Sequence, residues 1–245
     1  MRATGEPSLP LREPSPPLRE TVPSLREPSQ SLREPWHDLG FAPADALARQ
    51  RAGATFGMWI FIASEVLFFG ALFLFYAALR AEHPEAVAAA ARETDIVYGT
   101  ANTALLLTSG LLAAIAARAA EVPALRRLVL VCLLLTAGLG LAFLIVKGFE
   151  YREDIRENLV PGPGFKLADR PTQLFFGFYW FATAVHGIHL AIGIGLVTRL
   201  AWKGWHAPDF LATSPQVEVA LLYWGFVDMV WIVLYPALYL VGRTG

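Results

Sequence analysis

The stretch GMWIFIASEVLFFGALFLFY, Gly57 to Tyr76, decides the fold. It reads as helix that dissolves in lipid, apart from one residue in its middle, Glu65. A bilayer core about 30 Å thick takes about 20 helical residues to cross, and this run is long enough. Four more apolar blocks follow it. The five are Phe56–Leu79, Tyr98–Ala117, Leu128–Val146, Leu174–Leu200 and Val219–Val241. The chain has 245 residues, 55% of them hydrophobic and 17% charged, and a soluble domain would scatter such residues periodically instead of collecting them in blocks. The expected fold is therefore all-α, an integral membrane bundle of five transmembrane helices over residues 51–245. The fourth block is the longest and is expected to tilt or to extend past the headgroups.

Residues 1–50 are of another kind. LREP, LRET, LREP and LREP begin at Leu11, Leu18, Leu25 and Leu32, a period of seven. Proline in nearly every unit forbids the continuous helix that a heptad coiled coil needs. Arginine and glutamate cancel within each unit, and no apolar core stretch is present, so this is neither a signal peptide nor a basic transit peptide. It reads as a disordered, low-complexity tail. An over-extended start of translation, with Met58 too late to be the true start, and a docking arm are the other readings.

Composition excludes further classes. A net charge of −1 gives nucleic acid nothing to bind. The single cysteine, Cys132, lies inside the third block; alone it makes no intrachain disulfide and reads as a small packing residue. There is no phosphate-binding glycine loop, no C-x-x-C-H and no nucleophile beside a base. Five spans put the two ends of the chain on opposite sides. Basic residues are nearly balanced between the sides, so the positive-inside rule favours a cytoplasmic N-terminus only slightly. In the fourth span Ala184, Gly187, Ala191 and Gly195 form a small-residue stripe, which is expected to let helix backbones approach.

The polar residues at depth carry the functional question. Glu65 is nine residues beyond Phe56, roughly 14 Å of helix rise, and Asp228 is as far beyond Val219. His186 and His189 sit near the middle of the fourth span. An acid at a helix centre costs roughly 2.5–3.5 kcal/mol by insertion scales. Each carboxyl is therefore protonated or faces a partner inside the bundle. Depth alone allows Glu65 and Asp228 to approach His186 or His189. Lys147, Glu150 and Tyr151 close the third block, where long side chains can snorkel to the headgroups. A structural hydrogen-bond network, a proton path and a lipid or partner contact all remain open for these groups. The two histidines share a helix face at i, i+3, but bulky apolar neighbours argue against a metal, and the chain reads as non-catalytic.

These residues carry a resemblance. GMWIFIASEVLFFGALF, NTALLLTSG, VKGFEY, YWFATAVHGIHLAIGIGLV and YWGFVDMVWIVLYPALYLVG, in this order from about Phe56 to Gly242, resemble subunit III of the haem–copper oxidases, the cytochrome c oxidase family. The resemblance implies an accessory helical subunit beside subunit I of a proton-pumping respiratory oxidase, supporting proton uptake and the stability of subunit I. It implies no redox centre in this chain, with haem and copper in partner subunits, subunits I and II as partners, and tightly held phospholipid. It places the family's buried glutamate at Glu65, its paired histidines at His186 and His189, its glutamate–aromatic pair at Glu150 and Tyr151, and its last-helix aspartate at Asp228. All six are expected in a buried polar network at the lipid or subunit I interface, in a bacterial plasma membrane with the C-terminus outside.

Three departures qualify it. The long form has seven helices, so this is the short five-helix type, without a lipid cleft between two helix groups. Gly225 stands where relatives carry histidine, which removes a polar partner near Asp228, and Lys147 stands where many carry glutamine. A quinol oxidase subunit III and the related protein associated with nitric oxide reductase are the sibling readings. A small transporter or an assembly protein is the reading from another class; a transporter would show broken helices or an internal repeat, and neither is visible.

Overall fold

The computed structural model describes residues 43–167, 169–207 and 210–243. The seven-residue repeats lie outside these described residues. Helix α1 runs Pro43–Glu82, α2 Pro84–Glu93, α3 Ile96–Ala119, α4 Arg126–Arg156, α5 Arg170–His206, α6 Phe210–Thr213 and α7 Pro215–Tyr235. A 3₁₀ turn at Pro123–Leu125 precedes α4, and a π-helical turn at Pro236–Leu240 continues α7. Among the described residues there is no strand, and α1, α3, α4, α5 and α7 are long and apolar enough to cross a membrane.

Local chemistry sets the ends. Asp95 caps α3, its side chain accepting from the Val97 N–H at 2.7 Å, and Ser214 caps α7 by accepting from Gln216 N–H. At the far end of α4, Asn158 takes a left-handed conformation (φ 58°), and the Leu159 N–H turns back to the Asp154 carbonyl. Arg126 donates to the Gly204 and Trp205 carbonyls, satisfying acceptors at the end of α5.

Helices α3, α4, α5 and α7 form the packed bundle. Its centre is aromatic: Trp224 and Trp231 of α7, Phe143 of α4 and Tyr179 of α5 are all buried. Lipid offers no hydrophobic drive for helix association, so close packing carries the contact. Gly140 of α4 and Gly193 of α5 make room for Trp224. A Cβ on Gly140 would sit 2.7 Å from the indole, and one on Gly193 3.1 Å from it. The stripe at Ala184, Gly187, Ala191 and Gly195 does not serve this purpose. Ala184, Ala191 and Gly195 face away from the rest of the chain, and only Gly187 comes near another helix, its Cβ position 3.8 Å from Leu144. The reason is rotation: the face of α5 turned inward is that of Ala182, His186, Leu190, Gly193 and Val197.

Helix α1 is attached differently. Only 6% of its most apolar window is buried, against 61% for α7, so it lies against the bundle without entering it. Long side chains span the gap. Thr55 donates to Glu218 at one end, and the Tyr76 hydroxyl reaches the Ala237 carbonyl at the other. Between them Phe69 meets Phe226, and Tyr76 stacks on Phe178. These ties make α1 parallel to α7.

Observed helices outrun the expected spans. Helix α4 continues ten residues beyond Val146, to Arg156, and this extension matters below.

Candidate functional site

The polar groups at depth sort into three separate places, with His186 apart from all three. In the first, Glu65 of α1 faces His189 of α5, Oε2 to Nε2 at 3.1 Å. The other ring nitrogen, Nδ1, lies 2.9 Å from the Val185 carbonyl. A carbonyl only accepts, so Nδ1 carries a proton, and the Nε2–Glu65 contact then needs one more. That proton sits on the imidazole or on the carboxyl. The pair is part-exposed at the seam between α1 and the bundle, with Phe69 edge-on to the imidazole.

His186 lies three residues earlier, yet it is buried between Phe143 and Trp231, and neither of its ring nitrogens has a hydrogen-bond partner among the described residues. The two histidines share an element without sharing a site.

The second place is the extension of α4. Lys147, Glu150 and Asp154 fall on one helix face at i, i+3 and i+7, all buried. Lys147 Nζ lies 3.0 Å from Glu150 Oε2 and donates to the hydroxyls of Tyr179 and Tyr239 at 3.0 and 2.7 Å. The Tyr239 hydroxyl donates to Glu150 Oε1 at 2.5 Å. The Tyr179 hydroxyl lies 2.9 Å from Glu150 and 2.7 Å from Asp154. Tyr239 is delivered by the π turn, which the missing N–H of Pro236 helps to open. The expected snorkelling of Lys147 is thus corrected. The helix does not end at Val146, and Lys147 points into the bundle with its charge answered by carboxylates and phenols. The Tyr151 hydroxyl is hydrogen-bonded to Thr183 at 2.7 Å, while its ring lies 5.1 Å from Lys147 Nζ.

Asp154, Tyr179 and Tyr239 escape a reading of the sequence. Asp154 sits in the highly charged run YREDIRE, which reads as a solvated loop. Its i, i+7 spacing from Lys147 is the signal that finds it.

Asp228 makes the third place. It is 7% exposed, and no described hydrogen bond joins it to either histidine. Its carboxyl fills the notch left by Gly110 of α3, where any Cβ would collide with Oδ2, and Oδ1 is buried with no partner among the described residues. Among the described residues no three His, Cys, Asp or Glu side chains are grouped to hold a metal ion.

A bundle of long apolar helices with a few polar groups at depth and an outward apolar helix defines a multi-pass membrane protein. Comparison with known proteins narrows the class. The family described as cytochrome c oxidase subunit III matches residues 42–243. The cytochrome c oxidase subunit 3 of Thermostichus vulcanus is 30% identical over 195 residues, covering 76% of this chain and 87% of the relative. That of Bacillus subtilis is 30% identical over 192 residues, 77% and 86% of the two chains. A cytochrome bo(3) ubiquinol oxidase subunit 3 from Buchnera aphidicola is 25% identical over 193 residues, 79% and 96%. The chain belongs to the cytochrome c oxidase subunit III family.

Proposed function

We propose that this chain is the non-redox accessory subunit of a proton-pumping haem–copper terminal oxidase fed by cytochrome c, in a bacterial plasma membrane. In this reading it seats against subunit I within a complex that also contains subunit II, holds phospholipid at its faces, and has its N-terminus in the cytoplasm. It supplies no metal or haem; those belong to the partner subunits. Glu65, His186, His189, Glu150, Tyr151 and Asp228 maintain the bundle and its outer contacts so that subunit I keeps its proton supply during turnover. The family match along nearly all of the described helices is the observation that carries this reading. The outward apolar face of α1, with Trp59, Val66 and Leu67 exposed, supports a seat against lipid or another subunit.

Purification in mild detergent tests it. Haem- and copper-bearing subunits should co-purify, and a subunit II with copper-binding cysteines would identify cytochrome c as donor. Isolation without any haem protein would overturn the reading. The relatives from Buchnera aphidicola and Staphylococcus haemolyticus, named as quinol oxidase subunits, favour a second reading with quinol as donor. A subunit II without copper would select it.

A further inference from the structure

A cavity of about 520 Å³ opens at the end of the bundle where α1 and α7 begin and α3 finishes. Four charged residues line it: Arg51 of α1, Arg118 at the end of α3, Glu121 just beyond, and Glu218 of α7. Its wall on α3 is made of short side chains, Ala113, Ala114 and Ala117. Its inner end is made by Gly110 and Gly225. From Arg118 to Gly110 is about 12 Å of helix rise, so the space runs well into the membrane.

Asp228 does not itself line the cavity, but its Oδ2 lies directly behind Gly110, which does. Asp228 lies one helical turn beyond Gly225, and its Oδ1 is buried with no partner among the described residues. An ionised carboxylate without a partner is too costly there, so a proton or a cation must accompany it. We propose that the cavity is a water-filled inlet through which Asp228 exchanges its proton with the aqueous phase on the N-terminal side of the membrane.

Water fits the space better than a lipid chain. The charged groups of the lining offer it donors and acceptors past the apolar wall of Leu221 and Leu222, and Asp228 Oδ2 lies just behind Gly110 at the far end. A buried water needs 2–4 such partners and takes up about 30 Å³ of liquid volume, so the cavity has the size of a water column. An acyl chain would leave the carboxyl oxygen unsatisfied and draw apolar carbon past four charges. Glycine at 225 keeps the column open. Nothing lies within 4 Å of a Cβ added there, so a larger side chain enters the space without displacing its neighbours.

Two measurements on the protein in native membranes test this. In the first, Ala114→Cys and Gly225→Cys are exposed to a membrane-impermeant cationic methanethiosulfonate, in vesicles of each orientation, and the subunit is weighed. Leu135→Cys, on the outward face of α4 and away from the cavity, is the control. Water-soluble thiol reagents attack the thiolate, so a hydrated site should label at least about tenfold faster than the lipid-facing control, and only from the N-terminal side. In the second, the infrared carboxylic band missing from Asp228→Asn should shift promptly in D₂O, and Gly225→Leu should slow that shift. Labelling no faster than at Leu135→Cys, labelling from the other side, or exchange indifferent to Gly225→Leu would each overturn the inlet.

Discussion

Glu65 and His189 stand 3.1 Å apart with one proton between them, because the Val185 carbonyl already claims the other ring nitrogen. The pair is also a tether between α1 and α5. Glu65→Gln preserves a donor for Nε2 and should assemble nearly as the parent does. Glu65→Ala strands the imidazole and should weaken the seam by about 1–3 kcal/mol. Oxygen consumption followed over time, with the amount of subunit retained, checks both. Initial turnover should survive in each, with a shorter active life for the alanine form. Loss of initial turnover in an intact Glu65→Gln complex would make the proton between Glu65 and His189 a transferred one.

The buried Lys147–Glu150 pair should behave asymmetrically. Lys147→Met leaves Glu150 buried without its cation and should destabilise the bundle by about 3–5 kcal/mol, whereas Lys147→Met with Glu150→Gln should recover much of that loss. Thermal unfolding in detergent of the two variants gives the comparison. Equal damage in both would mean that the phenols, not the cation, hold Glu150.

The glycines beneath Trp224 set a steric prediction. Gly140→Val drives a side chain into an indole 2.7 Å from the Cβ position, which should cost about 1–3 kcal/mol through overpacking. Gly138→Val on the same helix, with nothing within 4 Å, should be tolerated within this chain. Relative thermal stability of the two separates local crowding from a general loss of glycine.

Outside the spans, Lys166 bridges Glu93 at 2.6 Å and Glu157 at 3.3 Å. The hydrogen bond to Glu93 holds its ammonium above the ordinary value of 10.5. A raised folded value contributes stability that is complete below the unfolded value and is lost as pH rises through the folded one. Lys166→Met should therefore loosen the loop at neutral pH and make no difference at strongly alkaline pH. Because the side chain is 43% exposed, the effect should be small and salt-sensitive. Amide exchange at Asn158 and at Phe165–Leu167 measured across pH is the check.

The repeats before about Pro35 should be dispensable, since proline-broken, charge-balanced units offer no apolar face to bury. Deletion with measurement of oxidase yield and activity decides it. Loss of the assembled complex would show that they dock on a partner.

The five spans were legible because lipid solubility is a property of composition over about 20 residues, and neighbours do not enter it. The site was legible only in part. Glu65, His186, His189 and Asp228 betray themselves by being polar at depth. Which of them meet depends on helix rotation and neighbours, so His186 and Asp228 could not be placed beforehand. The span reads as ending beside Lys147, whereas the charged run EYREDIR, Glu150–Arg156, forms two further turns of helix whose inward face carries Glu150 and Asp154. The stripe on α5 misled for the same reason: spacing shows that small residues share a face without saying what the face meets.

The attachment of α1 fixes an order of assembly. Thr55, Glu65 and Tyr76 find their partners at positions 163, 124 and 161 residues further along the chain. Helices α3 and α4, by contrast, are joined by a short turn and can pair as soon as both are in the membrane. Of the described spans, the first to be synthesised must therefore wait in lipid until α5 is made, and its ties to α7 are the last to form. A stalled nascent chain ending before Arg170 should display α1 inserted but unattached, open to whatever chaperone or subunit reaches it first.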